Sequence, residues 1–192
     1  MLNLIRPALA LTLALTALTG IAYSLAMTGI AQALAPGAAQ GSLIRRDGAV
    51  IGSALIAQGF AGPGYLHPRP SAADYNAMPS GASNLGPTSA ALAQAVAARR
   101  ADWQAQAQGP APVDALTASG SGLDPDISPE NARGQAARIA AARGVPVDVV
   151  LRVLGAARQG PWLGLYGEAR VNVLLTNLAL DAAAPMAPAG QN

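Results

Sequence analysis

One histidine and two neighbouring serines are the first places to look for chemistry in this chain. His67 lies in Tyr65-Leu66-His67-Pro68-Arg69-Pro70, and the serines lie in Ser119-Gly120-Ser121-Gly122. A serine nucleophile needs a base within hydrogen-bond reach and a third group to orient that base. The strand-to-helix elbow that presents such a serine reads G-x-S-x-G. Centred on Ser121 it would need glycine at positions 119 and 123, where Ser119 and Leu123 stand. As a phosphate cradle the stretch lacks the lysine of a P-loop and the third glycine of a dinucleotide fingerprint. Asp124 and Asp126 are spaced like the opening of a calcium loop. Pro129 then occupies the place of the required glycine, and Gln135 that of the bidentate acid. A simpler role suits both aspartates, as negative charge and turn-forming side chains ahead of a helix N-terminus. His67, held extended by its flanking prolines, reads with Arg69 as a hydrogen-bonding partner of loop carbonyls or of another surface. The absence of cysteine excludes disulfides, thiolate zinc sites and cysteine nucleophiles. A single histidine excludes any site that needs two imidazoles. No catalytic, metal or cofactor site survives in these residues.

Composition narrows the classes further. The 192 residues are 52% hydrophobic but only 11% charged, against about 25% in an ordinary soluble domain. Alanine makes up almost a quarter of the chain, and every basic residue is arginine. The arginines are dispersed and the net charge is only +2, which argues against a nucleic-acid binder. The length allows one domain and an appendage.

That appendage is N-terminal. An uncharged run extends from Pro7 to Ile44, between Arg6 and Arg45, and its apolar heart is Ala8 to Ile30. At ~1.5 Å per residue this heart reaches roughly 35 Å, more than the ~30 Å hydrocarbon core of a bilayer. Thr12, Thr16, Thr19 and Thr28 are compatible with it, because a hydroxyl can bond a carbonyl one turn back. Gly20, Ser24 and Thr28 recur every fourth position, a small-residue face suited to close helix packing in a membrane. Pro7 is expected in the first helical turn. A cleaved signal peptide is the rival reading, with Ala33-Leu34-Ala35 as its cleavage site. Signal peptides, however, use apolar cores of about 7–15 residues, and this one is longer. The chain is therefore read as residues 1–7 in the cytoplasm, a transmembrane helix over 8–34, an extracytoplasmic domain over 36–181 and a disordered tail over 182–192.

Past Pro36-Gly37, short structured pieces alternate with loops. Ala49 to Ala57 is apolar and proline-free, which predicts a bulged strand. Residues 58–87 are too rich in glycine and proline for regular structure. They form a long loop of the kind that is functional or covers another surface. Thr88 or Ser89 caps a helix to about Ala107, with Leu92, Val96 and Trp103 on one face and Arg99, Arg100 and Asp102 toward water. Val113 to Ala118 predicts a short strand. Ser128 then caps a helix with Pro129 at its first position and Glu130 at its positive end, running to Arg143 and stopped by Gly144. Asp148 to Arg158 forms the next helix, with Val149, Val150, Val153, Leu154 and Ala157 as its apolar stripe. Val171 to Leu175 opens as a strand and passes into a short helix ending at Asp181. The fold class is α+β: one N-terminal transmembrane helix followed by a small extracytoplasmic α/β domain.

The segments also resemble a known family, the C subunit of the Kdp potassium-transporting ATPase. The similar pieces are Arg6-Pro7-Ala8, Gly41-Ser42-Leu43-Ile44 and Gly52 to Gln58. They continue with Tyr65 to Ser71, Ser83-Asn84-Leu85-Gly86 and the thirteen residues from Thr117 to Pro129. Gln135, Arg138, Ile139, Ala140 and Arg143 match a helix, and Val171-Asn172-Val173-Leu174 with Asn177 and Leu180 match the end. Leu66 stands where an aromatic residue is usual, and Asp126 where histidine or asparagine is common.

The resemblance implies a non-catalytic subunit of an ATP-driven potassium uptake complex in the bacterial inner membrane. Its partners there would be a P-type ATPase subunit, a channel-like potassium-binding subunit and a small peptide subunit. The assembled complex would use ATP, Mg²⁺ and K⁺. The family is further described as a catalytic chaperone that raises the ATP affinity of the pump subunit through a ternary complex with nucleotide. From outside the membrane such an effect has to be allosteric. On this reading Tyr65, His67, Arg69, Ser119, Ser121, Asp124 and Asn172 are candidate partner contacts, and Gly20, Ser24 and Thr28 candidate helix-packing contacts. Two other classes stay open on the residues alone: a secreted periplasmic binding module, and a serine hydrolase using Ser121 and His67.

Overall fold

Helix begins at Leu2, ahead of the apolar run that stabilises it. In the computed structural model, which describes residues 2–186, α1 (Leu2–Leu15) passes through a π-helical stretch (Thr16–Tyr23) into α2 (Ser24–Leu34). Together they supply an apolar span from Leu4 to Leu34, 31 residues with none of its core window buried. Pro7 lies inside α1 rather than in its first turn. The ring therefore removes a hydrogen bond the helix would otherwise make to the Asn3 carbonyl. Thr19 and Thr28 do bond back, donating to the carbonyls of Leu15 and Ser24 at 2.7 and 2.8 Å. Ser24 closes the wider π turn, donating to Thr19 O five residues back at 3.1 Å. Ala35 leaves the helical conformation with φ −144° and ψ 62°, and Pro36 starts the one-turn α3 (Pro36–Ala39).

A hairpin follows where a single bulged strand was expected. β1 (Leu43–Arg46) pairs with β2 (Ala49–Ser53) across Asp47-Gly48. Both turn residues take left-handed φ, 53° and 80°, the combination that a two-residue hairpin turn requires. The apolar run stops being strand at Ser53. The chain divides into two compact units between Ile51 and Gly52.

In the second unit an irregular segment runs from residue 54 to 88, and α4 (Ala90–Gln106) follows. Ser89 caps α4 by accepting from the Leu92 amide at 3.5 Å. Arg99 does not face water as expected. It shares the inward face with Leu92, Val96 and Trp103 and donates to the Leu116 carbonyl at 2.9 Å. Residues 113–116 are one helical turn, α5 (Val113–Leu116), not a strand. The amide and hydroxyl of Thr117 both return to the Val113 carbonyl, at 3.0 and 2.9 Å, and close that turn. β3 (Asp126–Ile127), α6 (Pro129–Arg143), α7 (Val147–Ala157), β4 (Arg158–Gln159), β5 (Arg170–Asn172) and α8 (Val173–Ala183) complete the unit.

Its sheet is antiparallel in the order β3-β5-β4, with Asp126 opposite Asn172, Ile127 opposite Val171, and Gln159 opposite Arg170. Ser128 caps α6 by accepting from the Asn131 amide at 3.1 Å, and Gly144 stops it in the left-handed conformation. β5 ends at Asn172, whose side chain caps α8 by accepting from Leu175 N at 3.1 Å. Ile139, Val150, Leu154, Val171, Val173 and Leu180 form the core, together with Leu66 from the irregular segment. The expected tail starts too early at residue 182. α8 continues to Ala183, and Ala184 is buried, its carbonyl taken by Arg143. Residues 187–192 lie outside the described residues.

Candidate functional site

Two consecutive residues of the irregular segment are each held by a side-chain amide, from opposite sides. Asn177 on α8 accepts from the Leu66 amide at 2.7 Å and donates to the Leu66 carbonyl at 3.0 Å. Gln135 on α6 does the same for His67, at 2.8 and 3.1 Å. An extended backbone points alternate residues' amide and carbonyl to opposite edges. The strap is thus paired on both edges, as a central strand would be, by side chains in place of strands. Asn131, one turn before Gln135, accepts through Oδ1 from Gln135 Nε2 at 2.7 Å and fixes the orientation of that side chain.

Arg143 anchors both ends of this arrangement. Its side chain is fully buried and donates to Gly64 O at 2.7 Å, Ala184 O at 2.7 Å and Asp181 Oδ1 at 2.9 Å. The Tyr65 ring covers the guanidinium at 5.1 Å. Asp114 plays a comparable part at the start of α6, accepting from the Ser128 amide and hydroxyl and from Asn131 Nδ2 at 2.7, 3.0 and 3.1 Å.

The strap meets the 119–126 loop along its far side. Arg69 pairs with Asp124 at 3.0 Å, and the Ser119 amide donates to Pro70 O at 3.1 Å. Ser71 donates to Gly122 O at 2.7 Å, and Ser80 to Ser121 O at 2.8 Å. Gly122 has φ 70°, and a β-carbon there would sit 2.8 Å from the Gly81 carbonyl, so only glycine fits. Asp126 pairs with Arg170 at 3.1 Å and accepts from Asn172 Nδ2 at 3.2 Å. Burial raises its carboxyl above the ordinary 3.8 and Asp124 adds to this, while Arg170 and Asn172 work against it.

A cleft of about 270 Å³ opens beside the strap, lined by His67, Tyr75, Arg99, Trp103, Gln135 and Arg138 among others. Burial, then the Arg138 charge, holds His67 below the ordinary 6.5, and the Gly62 carbonyl works in the other direction. His67 Nε2 lies 3.0 Å from Gly62 O and 3.2 Å from Arg138 Nη1. With a proton that nitrogen donates to Gly62; without one it accepts from Arg138. Burial also lowers Arg138 and raises Tyr75.

These positions can be compared with the sequence candidates. Tyr65, His67, Arg69, Ser119, Asp124 and Asn172 all tie the strap and the 119–126 loop to the scaffold. Ser119 and Asn172 are buried, leaving Ser121 as the exposed member of the set. Ser121 Oγ accepts from the Leu123 amide at 3.1 Å, and no hydrogen bond joins it to His67 among the described residues. No group of three His, Cys, Asp or Glu that could hold a metal is present among the described residues. Asn177, Arg143 and Asp114 were not singled out as site residues from sequence. The legible signal for α6 was Asn131 and Gln135 four apart, on the face that also carries Ala132, Ala136 and Ile139.

The profile of the family described as "KdpC: K+-transporting ATPase, c chain" matches residues 5–182. The chain belongs to the KdpC family. Among its relatives, the potassium-transporting ATPase KdpC subunit of Cereibacter sphaeroides (strain ATCC 17029 / ATH 2.4.9) is 64% identical over 183 residues, 95% of this chain and 99% of the relative. The KdpC subunit of Rhodopseudomonas palustris (strain TIE-1) is 52% identical over 200 residues, 96% of this chain and all of the relative. That of Nitratidesulfovibrio vulgaris (strain DSM 19637 / Miyazaki F) is 53% identical, covering 96% of each. The KdpC match includes both the apolar helix and the strap-bearing unit. KdpC is a subunit of a potassium-transporting ATPase, and the N-terminal helix is consistent with single-pass anchoring.

Proposed function

We propose that the chain is a non-catalytic subunit of an ATP-driven potassium uptake complex, anchored in the bacterial inner membrane by residues 4–34. Its second unit lies on the extracytoplasmic side, where it supports assembly with a P-type ATPase subunit, a channel-like potassium-binding subunit and a small peptide subunit. The family match over residues 5–182 carries this reading, and the apolar span from Leu4 to Leu34 supports it. ATP, Mg²⁺ and K⁺ belong to the assembled complex. A chaperone-like increase in the ATP affinity of the pump subunit then requires coupling between sites on opposite sides of the membrane. Among the described residues the N-terminal helix is the element long enough to reach both, and its π stretch gives it a place to change register.

Purification of the tagged chain from its native membrane tests the proposal. A P-type ATPase subunit and a channel-like subunit should co-purify, with potassium-stimulated ATP turnover. The ATP concentration for half-maximal turnover should rise when this chain is omitted. Recovery of the chain alone as a soluble protein beginning at Pro36 would overturn the proposal. A nucleotide footprint on residues 52–186 would overturn the allosteric part.

A further inference from the structure

The cleft beside the strap gathers charge that the fold itself leaves unanswered. It is lined by two arginines, Arg99 from α4 and Arg138 from α6, and by one carboxylate, Asp102. None of the three has an ion pair among the described residues. Arg138 is half-buried, and burial disfavours its charged form. Its partners are all uncharged side chains or backbone. Nη1 reaches Pro63 O at 2.8 Å and His67 Nε2 at 3.2 Å, and Nη2 donates to Gln135 Oε1 at 2.7 Å. Nε and the other hydrogen of Nη2 donate to no group among the described residues. A cation taken out of water is costly without a counter-ion. Arg99 spends Nη1 on Leu116 O at 2.9 Å and likewise keeps its remaining donors.

The walls give the cleft a second property. Trp103 is buried, and its indole N–H is already committed to Gly109 O at 3.1 Å. The Tyr75 hydroxyl is committed to Arg69 O at 2.9 Å. With Phe60, Pro68 and Pro70 these rings offer apolar surface rather than hydrogen bonds. An occupant that matches both properties has an anionic head and an apolar body. The guanidinium fork matches a carboxylate in two parallel hydrogen bonds. Asp102, exposed on the rim, disfavours a second negative charge. The volume of about 270 Å³ lies below the roughly 300–1,000 Å³ of drug-sized sites, so the occupant is smaller than a nucleoside triphosphate.

We propose that this cleft binds a small monocarboxylate with an aromatic or apolar body, its carboxylate on Arg138 and Arg99 and its body against Trp103. The inference does not depend on membership of the complex. His67 and Gln135 line the same cleft, and Gln135 holds the strap, so the occupant sits directly on the strap's anchorage.

Benzoate is the test ligand, with benzamide as its neutral counterpart and inorganic phosphate as an anion without an apolar body. Each is titrated into the purified full chain in detergent. The ring signals of His67, the single histidine of the chain, are followed by NMR. A Trp162→Phe chain keeps Trp103 as its single tryptophan and adds a fluorescence readout of the same cleft. Benzoate should shift both signals saturably with a dissociation constant below about 1 mM, and benzamide and phosphate should bind at least about tenfold more weakly. Arg138→Gln should weaken benzoate at least about tenfold, and Arg99→Gln at least about threefold. Arg133→Gln, at an exposed position of the same helix, should change it by less than about twofold. Absence of saturation, benzamide binding as tightly as benzoate, or phosphate binding as tightly would each overturn the site. Benzoate affinity unchanged in Arg138→Gln would overturn it too. Should that variant fail to fold, Arg99→Gln decides in its place, and unchanged affinity there has the same consequence.

Discussion

The strap around Leu66 and the tip around Leu163 are both loops, and they are opposites. The strap has no regular secondary structure, yet Leu66 is fully buried and its backbone is paired on both edges. The tip closes a regular hairpin, yet its largest side chains stand in solvent. Regularity and burial are therefore independent here. The strap is part of the core because side-chain amides supply what strands would otherwise supply. The tip is surface because nothing within its own unit covers it.

The largest effect that could break this comparison is at Arg143. Replacing it with alanine removes a buried guanidinium and leaves the Gly64 and Ala184 carbonyls and Asp181 without it. A loss of about 3–5 kcal/mol is expected, read as a fall in the denaturant midpoint. A loss under about 1 kcal/mol would mean that the strap is not anchored there.

Asn177→Ala should cost less, about 2–4 kcal/mol, because it strands the neutral Leu66 amide and carbonyl, each at the lower half of the roughly 1–3 kcal/mol range for a buried unsatisfied group. Gln135→Ala should follow the same logic at His67. Hydrogen exchange should show the Leu66 amide losing protection in the first variant, and the His67 amide in the second.

The pH dependence sharpens the comparison without a mutation of the scaffold. His67 is less basic in the folded chain than in the unfolded one, so the unfolded state binds more protons just below the ordinary value of 6.5. Stability should be fully present above that value and decline as the pH falls below it. Asp126 contributes with the opposite sign at lower pH, since its raised carboxyl binds a proton in the folded state first. His67→Gln should flatten the slope just below 6.5, measured as unfolding temperature against pH.

The smallest effect belongs to the tip. Leu163→Ser should change the stability of the chain by no more than about 0.5 kcal/mol, as expected for an exposed position. A larger loss would show that the tip packs against its own domain.

Legibility followed the range of the interactions. The apolar span, the Ser89 and Ser128 caps, the Gly144 stop and the α7 stripe are local patterns, and each forms close to where sequence places it. The Asp47-Gly48 hairpin was equally local and could have been read from its turn pair. Val113–Leu116 misled because four residues carry too little periodicity to separate a turn of helix from a strand. The strap could be recognised only as a long loop with a purpose. Its contacts with Asn177 and Gln135 span 111 and 68 residues of chain, and no local pattern encodes them.

Taken alone, the sequence determined a chain with one membrane-length apolar helix, a small α+β unit, no cysteine for thiol chemistry, and a family resemblance over nearly its whole length. Those conclusions depend on residue type and short spacing, which the chain carries explicitly. Only the tertiary structure decided that Ser119 and Asn172 are buried, that His67 faces Arg138 and not a serine, and that Trp162 to Tyr166 stand uncovered. In so alanine-rich a chain, inward and outward positions carry the same side chain. Burial is then set by which distant polar groups find each other, and that is a property of the folded arrangement.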